Sequence, residues 1–218
     1  MEVMVNITRH ENVFSPSSLK QPIHVIGCGA TGSNVAIGLA KLGIEDVTLY
    51  DFDVVEEHNI ANQCFGYEHI GLNKAEALAN IILRLTNLTY KVEKQEVVRS
   101  SSSGIYFVLT DTMSSRESIW ASLIDKPDSL LIETRMGVEH GRVYTITPDK
   151  IEDINFYELT LYGDDEAEQS SCRGKITVGA TAAILANLAI WKLIGYANKK
   201  PYKRELMFFL EPYLFLEQ

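Results

Sequence analysis

The fold of this chain is decided by Ile23-His24-Val25-Ile26-Gly27-Cys28-Gly29-Ala30-Thr31-Gly32-Ser33. An apolar strand here runs into a glycine-rich turn, and the turn opens a helix. Gly27 permits the tight turn, Gly29 lets the backbone approach a phosphate, and Gly32 lets the helix pack closely on the strand. The N-terminus of the helix offers unpaired N–H groups to an anion. This arrangement is typical of a nucleotide-binding βαβ unit.

A second predicted strand, Val47–Tyr50, carries the acid that such a unit needs. It ends in Asp51-Phe52-Asp53, and Asp51 lies close to the roughly 20-residue offset at which a carboxylate grips the ribose hydroxyls. The intervening helix has a stripe of valine and leucine and stops at Gly43. Because strand, helix and acid agree, the sequence predicts a bound nucleotide rather than a glycine turn without a ligand.

Composition restricts the classes of function. The 218 residues carry a net charge of −9 and a hydrophobic content of 46%, which suits one globular domain over residues 1–218. No basic run offsets the acidic balance, so we expect no nucleic-acid partner. The chain opens without a charged-then-apolar signal sequence, and we therefore expect a cytoplasmic protein.

The cysteines and the longest apolar segment have structural interpretations. Cys28, Cys64 and Cys172 are widely spaced and form no C-x-x-C pair, which indicates neither a disulfide framework nor a structural zinc site. The apolar segment 178–197 contains an asparagine and a lysine. A helix buried in the core or at a subunit contact explains this segment better than a membrane span does, and we expect no membrane partner.

Strand and helix patterns alternate along the first part of the chain. Strands are predicted near Ile23–Ile26, Val47–Tyr50, Tyr90–Val98, Ile105–Leu109 and Leu130–Glu133. Helices are predicted near Ser33–Leu42, Lys74–Leu85 and Ser114–Ile124. Such alternation indicates an α/β, Rossmann-like fold with a mostly parallel sheet covered by helices on both faces.

The pattern changes after Glu133. The sequence predicts an antiparallel strand over Gly141–Thr147 that runs into Pro148, and then an acidic, weakly patterned loop. A long helix from about Ile176 to Tyr196 follows. Two closing edge strands are predicted over Glu205–Leu210 and Tyr213–Leu216. Within the single domain we distinguish an N-terminal arm (1–21), a nucleotide-binding half (22–135) and a C-terminal part (136–218).

The residues after the second strand carry a family resemblance. They are Asp53-Val54-Val55-Glu56-Glu57-His58-Asn59-Ile60-Ala61-Asn62-Gln63 and Gly71-Leu72-Asn73-Lys74-Ala75-Glu76-Ala77. The chain resembles the ThiF/MoeB/E1 superfamily of ATP-dependent activating enzymes, which adenylate the C-terminus of ubiquitin-like or sulfur-carrier proteins. The family pattern is an Asp-x-Asp strand end, a Ser-Asn-Leu-x-Arg-Gln run, a Gly-x-x-Lys helix start and a later strand ending in Asp. Phe107-Val108-Leu109-Thr110-Asp111 and Thr134-Arg135-Met136-Gly137 extend the resemblance over most of residues 23–196.

The resemblance implies a role for each matching residue. Family members bind ATP and Mg²⁺ and are usually dimers, in which an N-terminal arginine reaches the triphosphate of the partner subunit. Asp51 would hold the ribose, Lys74 would neutralise the phosphates, and Asp111 would bind Mg²⁺. Arg9, the only arginine upstream of the glycine turn, would act in the dimer. The other candidates for ATP binding are Gly27, Gly29, Ala30, Gly32, Ser33, Asp53, Asn59, Asn62 and Gln63.

Several of these residues have a structural alternative. The alternative for Lys74 is a solvated residue in a first helical turn, for Asp111 a helix cap, and for Asp53 a turn former. For Asn59 and Gln63 the alternative is a polar residue of a surface loop. The structure therefore has to decide between contact with a ligand and local structure at each position.

The chain departs from the family pattern at Asn62, where the family has arginine. The site thereby loses one fixed cation near the phosphates. Either another arginine, Arg9 or Arg135, compensates for this loss, or adenylation is slow or absent.

Cys172 lies in a region that resembles the one where several family members carry a sulfur- or thioester-handling cysteine. Arg173 and Lys175 are close in sequence and could lower the pKa of its thiol. The alternative is a partly buried thiol with no chemical task.

The function that the sequence predicts is ATP-dependent adenylation of the C-terminal carboxylate of a small ubiquitin-like or sulfur-carrier protein or peptide, with Cys172 as a candidate acceptor. A homodimer is expected. One alternative is an NAD-dependent oxidoreductase, which explains the glycine turn equally well but gives no reason for Gly71-Leu72-Asn73-Lys74. A second alternative is a catalytically weak nucleotide-binding subunit, which is compatible with Asn62 and with the missing zinc cysteines.

Overall fold

The structure is a computed structural model that describes residues 5–95, 103–124, 126–163 and 177–218. Its centre is an eight-stranded sheet in the order β3-β2-β1-β4-β5-β6-β7-β8. The strands are β1 (Ile23–Ile26), β2 (Val47–Tyr50), β3 (Lys91–Glu93), β4 (Ile105–Val108), β5 (Leu130–Met136), β6 (His140–Ile146), β7 (Glu205–Leu210) and β8 (Tyr213–Glu217). Strands β1 to β5 are parallel, and β5 to β8 pair in antiparallel fashion. This confirms the predicted α/β class with antiparallel strands in the C-terminal part.

Helices cover both faces of the sheet. They are α1 (Ala30–Lys41), α2 (Lys74–Thr86), α3 (Met113–Leu123), α4 (Ile151–Glu158) and α5 (Gly179–Ala197). Helices α1, α2 and α5 share one hydrophobic core with the sheet, and α3 and α4 share a second core on the other face. Successive side chains of a strand point to opposite faces. Val25 therefore belongs to the first core, and Ile26 belongs to the second.

The order of the strands creates a crevice between β1 and β4. Strand β1 pairs in parallel with β2 on one side and with β4 on the other. The chain leaves β1 toward α1 on one face and leaves β4 toward α3 on the opposite face. In open α/β sheets, ligands bind at such a switch point, outside the carboxyl ends of the strands. The glycine turn, 27–29, lies at this end of the sheet.

The structure corrects the prediction at three places. Helix α1 begins at Ala30 rather than at Ser33, because the turn needs only residues 27–29. The loop predicted after Pro148 is wrong over 151–158, since α4 forms there and directs Tyr157 into the second core. The acidic part of that predicted loop, 164–172, lies outside the described residues. The apolar pattern of α4 covers only eight residues and does not stand out among the acidic residues of this segment. Of the strand predicted near 90–98, only Lys91–Glu93 is strand among the described residues, and 96–102 lies outside them.

Helix α5 is the core helix that the sequence predicts for the apolar segment. It is the one helix in the described part of the chain with the length and composition of a membrane span. Its Leu185, Ala189 and Leu193 are fully buried, and the helix packs on α1, β5 and β6. Such packing is that of a core helix. Trp191 lies on the outward face and is 59% exposed.

Candidate nucleotide-binding site

The glycine turn allows a ligand to approach the backbone closely. Gly27 has a φ of +93°, a left-handed conformation that favours glycine. A Cβ on Gly32 would lie 1.8 Å from the carbonyl oxygen of Gly27, so α1 rests directly on the turn. At Gly29, no atom would lie within 4 Å of a Cβ, and the backbone there borders open space. No side chain caps the N-terminus of α1, which leaves its first N–H groups to an anion.

Asp51 connects the tip of β2 to this turn. Its Oδ2 accepts a hydrogen bond from the backbone N–H of Cys28 at 2.7 Å, and its Oδ1 accepts from the N–H of Asp53 at 2.9 Å. Burial raises the pKa of the Asp51 carboxyl above its usual value, while these two hydrogen bonds oppose that rise. Each carboxylate oxygen keeps a further lone pair for a ribose hydroxyl. The geometry fits the predicted role of Asp51.

Lys74 is buried and ion-paired. The residue is 9% exposed, and its Nζ donates to Oδ2 of Asp53 at 2.7 Å. A solvated lysine in the first turn of a helix would be exposed, so the structure contradicts that alternative. Asp53 is half-exposed and holds the ammonium group in place. Lys74 therefore has a fixed position close to the tip of β2.

Asn73 fixes the loop that joins β2 to α2, a role that the sequence analysis did not identify. Its Oδ1 accepts from the N–H of Glu76 at 3.2 Å and caps α2. Its Nδ2 donates to the carbonyl oxygens of Asp51 and Asp53, at 2.9 and 3.1 Å. An asparagine directly before a predicted helix is the signal that would have indicated this cap. Through these contacts, Lys74 is connected to Asp51 and hence to the glycine turn.

The polar residues after β2 differ in their contacts. Asn59 is 5% exposed, and its Oδ1 accepts from the N–H of Glu56 at 2.9 Å, so it holds a local turn. Oδ1 of Asn62 and Oε1 of Gln63 are buried, with no hydrogen-bond partner among the described residues. Buried amide oxygens are nearly always hydrogen-bonded in native proteins. The hydrogen-bonding capacity of these two oxygens is unused among the described residues, and their contact with a nucleotide stays a prediction of the family resemblance.

Asp111 lies just beyond the carboxyl end of β4 and is exposed. The cap of α3 is its neighbour Thr112, whose Oγ1 accepts from the N–H of Ser115 at 3.3 Å. The structure therefore assigns the helix cap to Thr112 rather than to Asp111. No group of three or more His, Cys, Asp or Glu residues in the described ranges could hold a metal ion. Mg²⁺ is commonly bound by one or two carboxylates together with substrate phosphates, and Asp111 fits such a shared site.

A buried ionic cluster below Asp111 is a second feature that the sequence analysis did not identify. The Glu133 side chain is fully buried. Its Oε2 accepts from the hydroxyl of Tyr157 at 2.6 Å, and its Oε1 lies 2.8 Å from Nε of Arg116 and of Arg135. The Arg116 contact lacks hydrogen-bond alignment at Nε, so it is an ion pair only. Nη2 of Arg116 donates to the carbonyl oxygen of Thr110, which ties the cluster to the segment that carries Asp111.

Arg135 does not compensate for Asn62. Its guanidinium donates from Nε and Nη2 to Glu133, at 2.8 and 3.0 Å, and from Nη1 to the carbonyl oxygen of Thr160 at 2.6 Å. The ring of Tyr144 covers the same group at 4.5 Å. All of its donor nitrogens are thus used inside the protein, and this candidate is wrong for a structural reason.

Arg9 does not join the site of this subunit. Arg9 is exposed on the N-terminal arm, where Ile7 lies 3.0 Å from the Cβ position of Gly43. Gly43 follows the C-terminus of α1, whereas the glycine turn precedes its N-terminus, about 18 Å away for a helix of this length. Cys172 lies outside the described residues. Cys28 is fully buried, and burial raises the pKa of its thiol, so it is not a reactive thiolate.

A glycine turn, a strand-end carboxylate and a buried lysine at one switch point define a nucleotide-binding α/β protein. The ThiF family model matches residues 17–214, and the chain belongs to the ThiF family. It is 39% identical over 67 residues to an uncharacterized protein, y4oA, of Sinorhizobium fredii, and 38% identical over 69 residues to the adenylyltransferase and sulfurtransferase MOCS3 of Xenopus laevis. These matches cover 30% and 31% of this chain, but only 11% and 15% of those proteins.

Solved structures with the same fold include PaaA and the MccB of E. coli. A crystal structure of MccB with ATP has a TM-score of 0.73 at 16% identity, and the match covers 99% of this chain and 72% of the MccB chain. A structure of MccB with AMPCPP and MccA has a TM-score of 0.72 at 16% identity, with coverages of 93% and 65%. PaaA has a TM-score of 0.72 at 18% identity, with coverages of 93% and 74%. At such identities the likeness shows the fold.

Proposed function

We propose that this chain is an ATP-dependent adenylyltransferase, which activates the C-terminal carboxylate of a peptide or of a small ubiquitin-like or sulfur-carrier protein. The observation that carries the proposal is the set of contacts that holds Lys74, Asp53 and Asp51 beside the glycine turn. Membership of the ThiF family and the name of MOCS3 support this reaction. They also favour it over the oxidoreductase alternative, which does not need Lys74.

The reaction needs no nucleophile from the enzyme in its first half. An ionised carboxylate oxygen of the substrate attacks the α-phosphorus of ATP, an O–P bond forms, and pyrophosphate leaves with the electrons of the broken P–O bond. Catalysis then consists of positioning and charge stabilisation. Lys74 and the N-terminus of α1 supply positive potential for the phosphates, and Asp51 positions the ribose. Asp111 would hold Mg²⁺, which would neutralise phosphate charge.

Pyrophosphate exchange and trapping of the adenylate test this function. The protein is mixed with ATP, labelled pyrophosphate and synthetic peptides that end either in Gly-Gly or in asparagine. We expect exchange with at least one free carboxyl terminus and none with its C-terminal amide, which lacks the nucleophile. Calorimetric binding of a dinucleotide without any binding of Mg·ATP would contradict the assignment.

One observation favours a second candidate, a catalytically weak nucleotide-binding subunit. Asn62 replaces the family arginine, and Arg135 is fully engaged elsewhere. Binding of Mg·ATP without exchange on any carrier would support this candidate. Onward transfer to Cys172 is proposed from the sequence resemblance alone. A thioester that persists in Cys64→Ala but is lost in Cys172→Ala would support it.

We also propose that the chain forms a homodimer through the outward faces of α5 and β8. Tyr213 and Phe215 lie on one face of the edge strand and are 86% and 55% exposed, and Trp191 is 59% exposed. An ion pair between Lys192 and Glu217 joins the two elements. Exposed apolar surface of this kind, at an unpaired sheet edge, is typical of an interface. A dimer would let the Arg9 of one subunit approach the site of its partner. We propose that the protein is located in the cytoplasm.

Light scattering tests the dimer. Trp191→Ser with Phe215→Ser should convert a dimer into a monomer, because the change removes apolar area from the proposed contact. Tyr67→Ser, which alters an apolar side chain that is 70% exposed elsewhere, should leave the mass unchanged. A monomeric wild-type protein, or a double variant that stays dimeric, would contradict this interface.

A further inference from the structure

A cavity of about 1010 Å³ lies at the end of the sheet opposite the glycine turn. It is lined by residues that precede β1, follow β6, connect α5 to β7 and end the chain. Strand β6 has seven residues and separates the two ends by about 20 Å. The cavity is therefore distinct from the nucleotide site, and the proposed adenylation does not use it.

Lysines dominate the lining of this cavity. They are Lys20, Lys150, Lys199, Lys200 and Lys203, all exposed, and none forms an ion pair with another residue in the described part of the chain. We call this feature the lysine cavity. With Arg204, six of the 20 basic residues of a chain with 29 acidic residues thus line one concavity. Such a local concentration of lysines favours a positive potential at the cavity, although the net charge of the chain is −9.

The only acidic residue among those that line the lysine cavity is already paired. Asp153 is 4% exposed, and its Oδ1 accepts from Nε of Arg204 at 2.6 Å. Its Oδ2 accepts from the N–H of Thr147 at 2.9 Å and from the hydroxyl of Tyr202 at 3.3 Å. The ammonium group of Lys150 lies 5.7 Å from the ring of Tyr202. Asp153 is thus neutralised by contacts within the protein, while the surrounding lysines keep their charge for an external anion.

We infer that the lysine cavity docks a short acidic segment of a partner protein. Flexible lysine side chains provide several independent point charges, and these suit a run of carboxylates better than one small phosphate, which calls for converging donors. A long nucleic acid would extend past the cavity onto a surface with more acidic than basic residues and would be repelled there. An acidic peptide of a few residues fits within the cavity.

Fluorescence anisotropy with labelled octaglutamate tests this inference on the full chain. We expect binding that weakens as the salt concentration rises, because exposed charges are screened. Lys199→Glu with Lys203→Glu should weaken binding about tenfold or more, since two attractive contacts become repulsive. The matched control Lys41→Glu with Arg84→Glu makes the same change of charge at exposed positions on α1 and α2 and should have less than about a twofold effect.

The alternatives give different results in the same assay. Equal binding of octaglutamine, or an equal loss in both double variants, would overturn the inference, because binding would then not depend on charge at this cavity. Tighter binding of single-stranded oligothymidylate than of octaglutamate would instead indicate a nucleic-acid surface and would also overturn it. Pyrophosphate exchange should be the same in Lys199→Glu/Lys203→Glu as in the wild type, so the result is independent of the proposed adenylation.

Discussion

Replacing Glu133 by alanine should lower the free energy of unfolding by about 4 kcal/mol, because a buried charge cluster loses its only anion. The Glu133 side chain has no exposed surface and contacts Arg116, Arg135 and Tyr157 at 2.6–3.0 Å. The alanine variant leaves two largely buried guanidinium groups without a counter-charge. Removal of one partner from a buried ion pair costs about 3–5 kcal/mol.

Urea unfolding at neutral pH measures this effect. Glu139→Ala is the matched control, since Glu139 is exposed and lies in the turn between β6 and β5, the strand that carries Glu133. We expect the control to change stability by less than about 0.5 kcal/mol. A loss of less than about 1 kcal/mol in Glu133→Ala would show that water or other groups compensate the two arginines. The variant also tests whether the cluster supports Asp111, because Arg116 holds the carbonyl oxygen of Thr110.

Replacing Lys74 by alanine should reduce pyrophosphate exchange by about 10²- to 10³-fold, which is the usual cost of removing one charge-stabilising donor from an active site. The ammonium group is buried and paired with the half-exposed Asp53. Its removal takes away the fixed cation and leaves Asp53 to repel the phosphates. The affinity for Mg·ATP, measured by calorimetry, should fall as well.

Lys91→Ala is the matched control for Lys74. Lys91 also forms an ion pair with an aspartate, Asp46, at 3.0 Å, but this pair is exposed and distant in the fold. The control should bind Mg·ATP like the wild type. Unchanged affinity and exchange in a folded Lys74→Ala protein would remove this lysine from the mechanism. Calorimetry makes this test independent of the identity of the carrier.

Much of the nucleotide-binding half could be predicted from the sequence because its signals are local. The glycine turn, the strand that ends in Asp51 and the helix that starts at Lys74 each depend on a few consecutive residues. Periodicity and turn chemistry therefore predict them directly. The same reasoning failed for α4, whose amphipathic pattern covers only eight residues. It also could not decide between a cap and a ligand role for Asp111, since Thr112 is an equally good cap by residue type.

The sequence alone determined the fold class and the family, and it predicted the place of the nucleotide, because these depend on patterns within short segments. Only the tertiary structure decided the electrostatic partners. It paired Lys74 with Asp53, engaged Arg135 with Glu133 and Thr160, and collected dispersed lysines around one cavity. The physical reason is that the partner of a charge depends on distance and burial after packing. Residues far apart in sequence become neighbours only when the sheet is assembled.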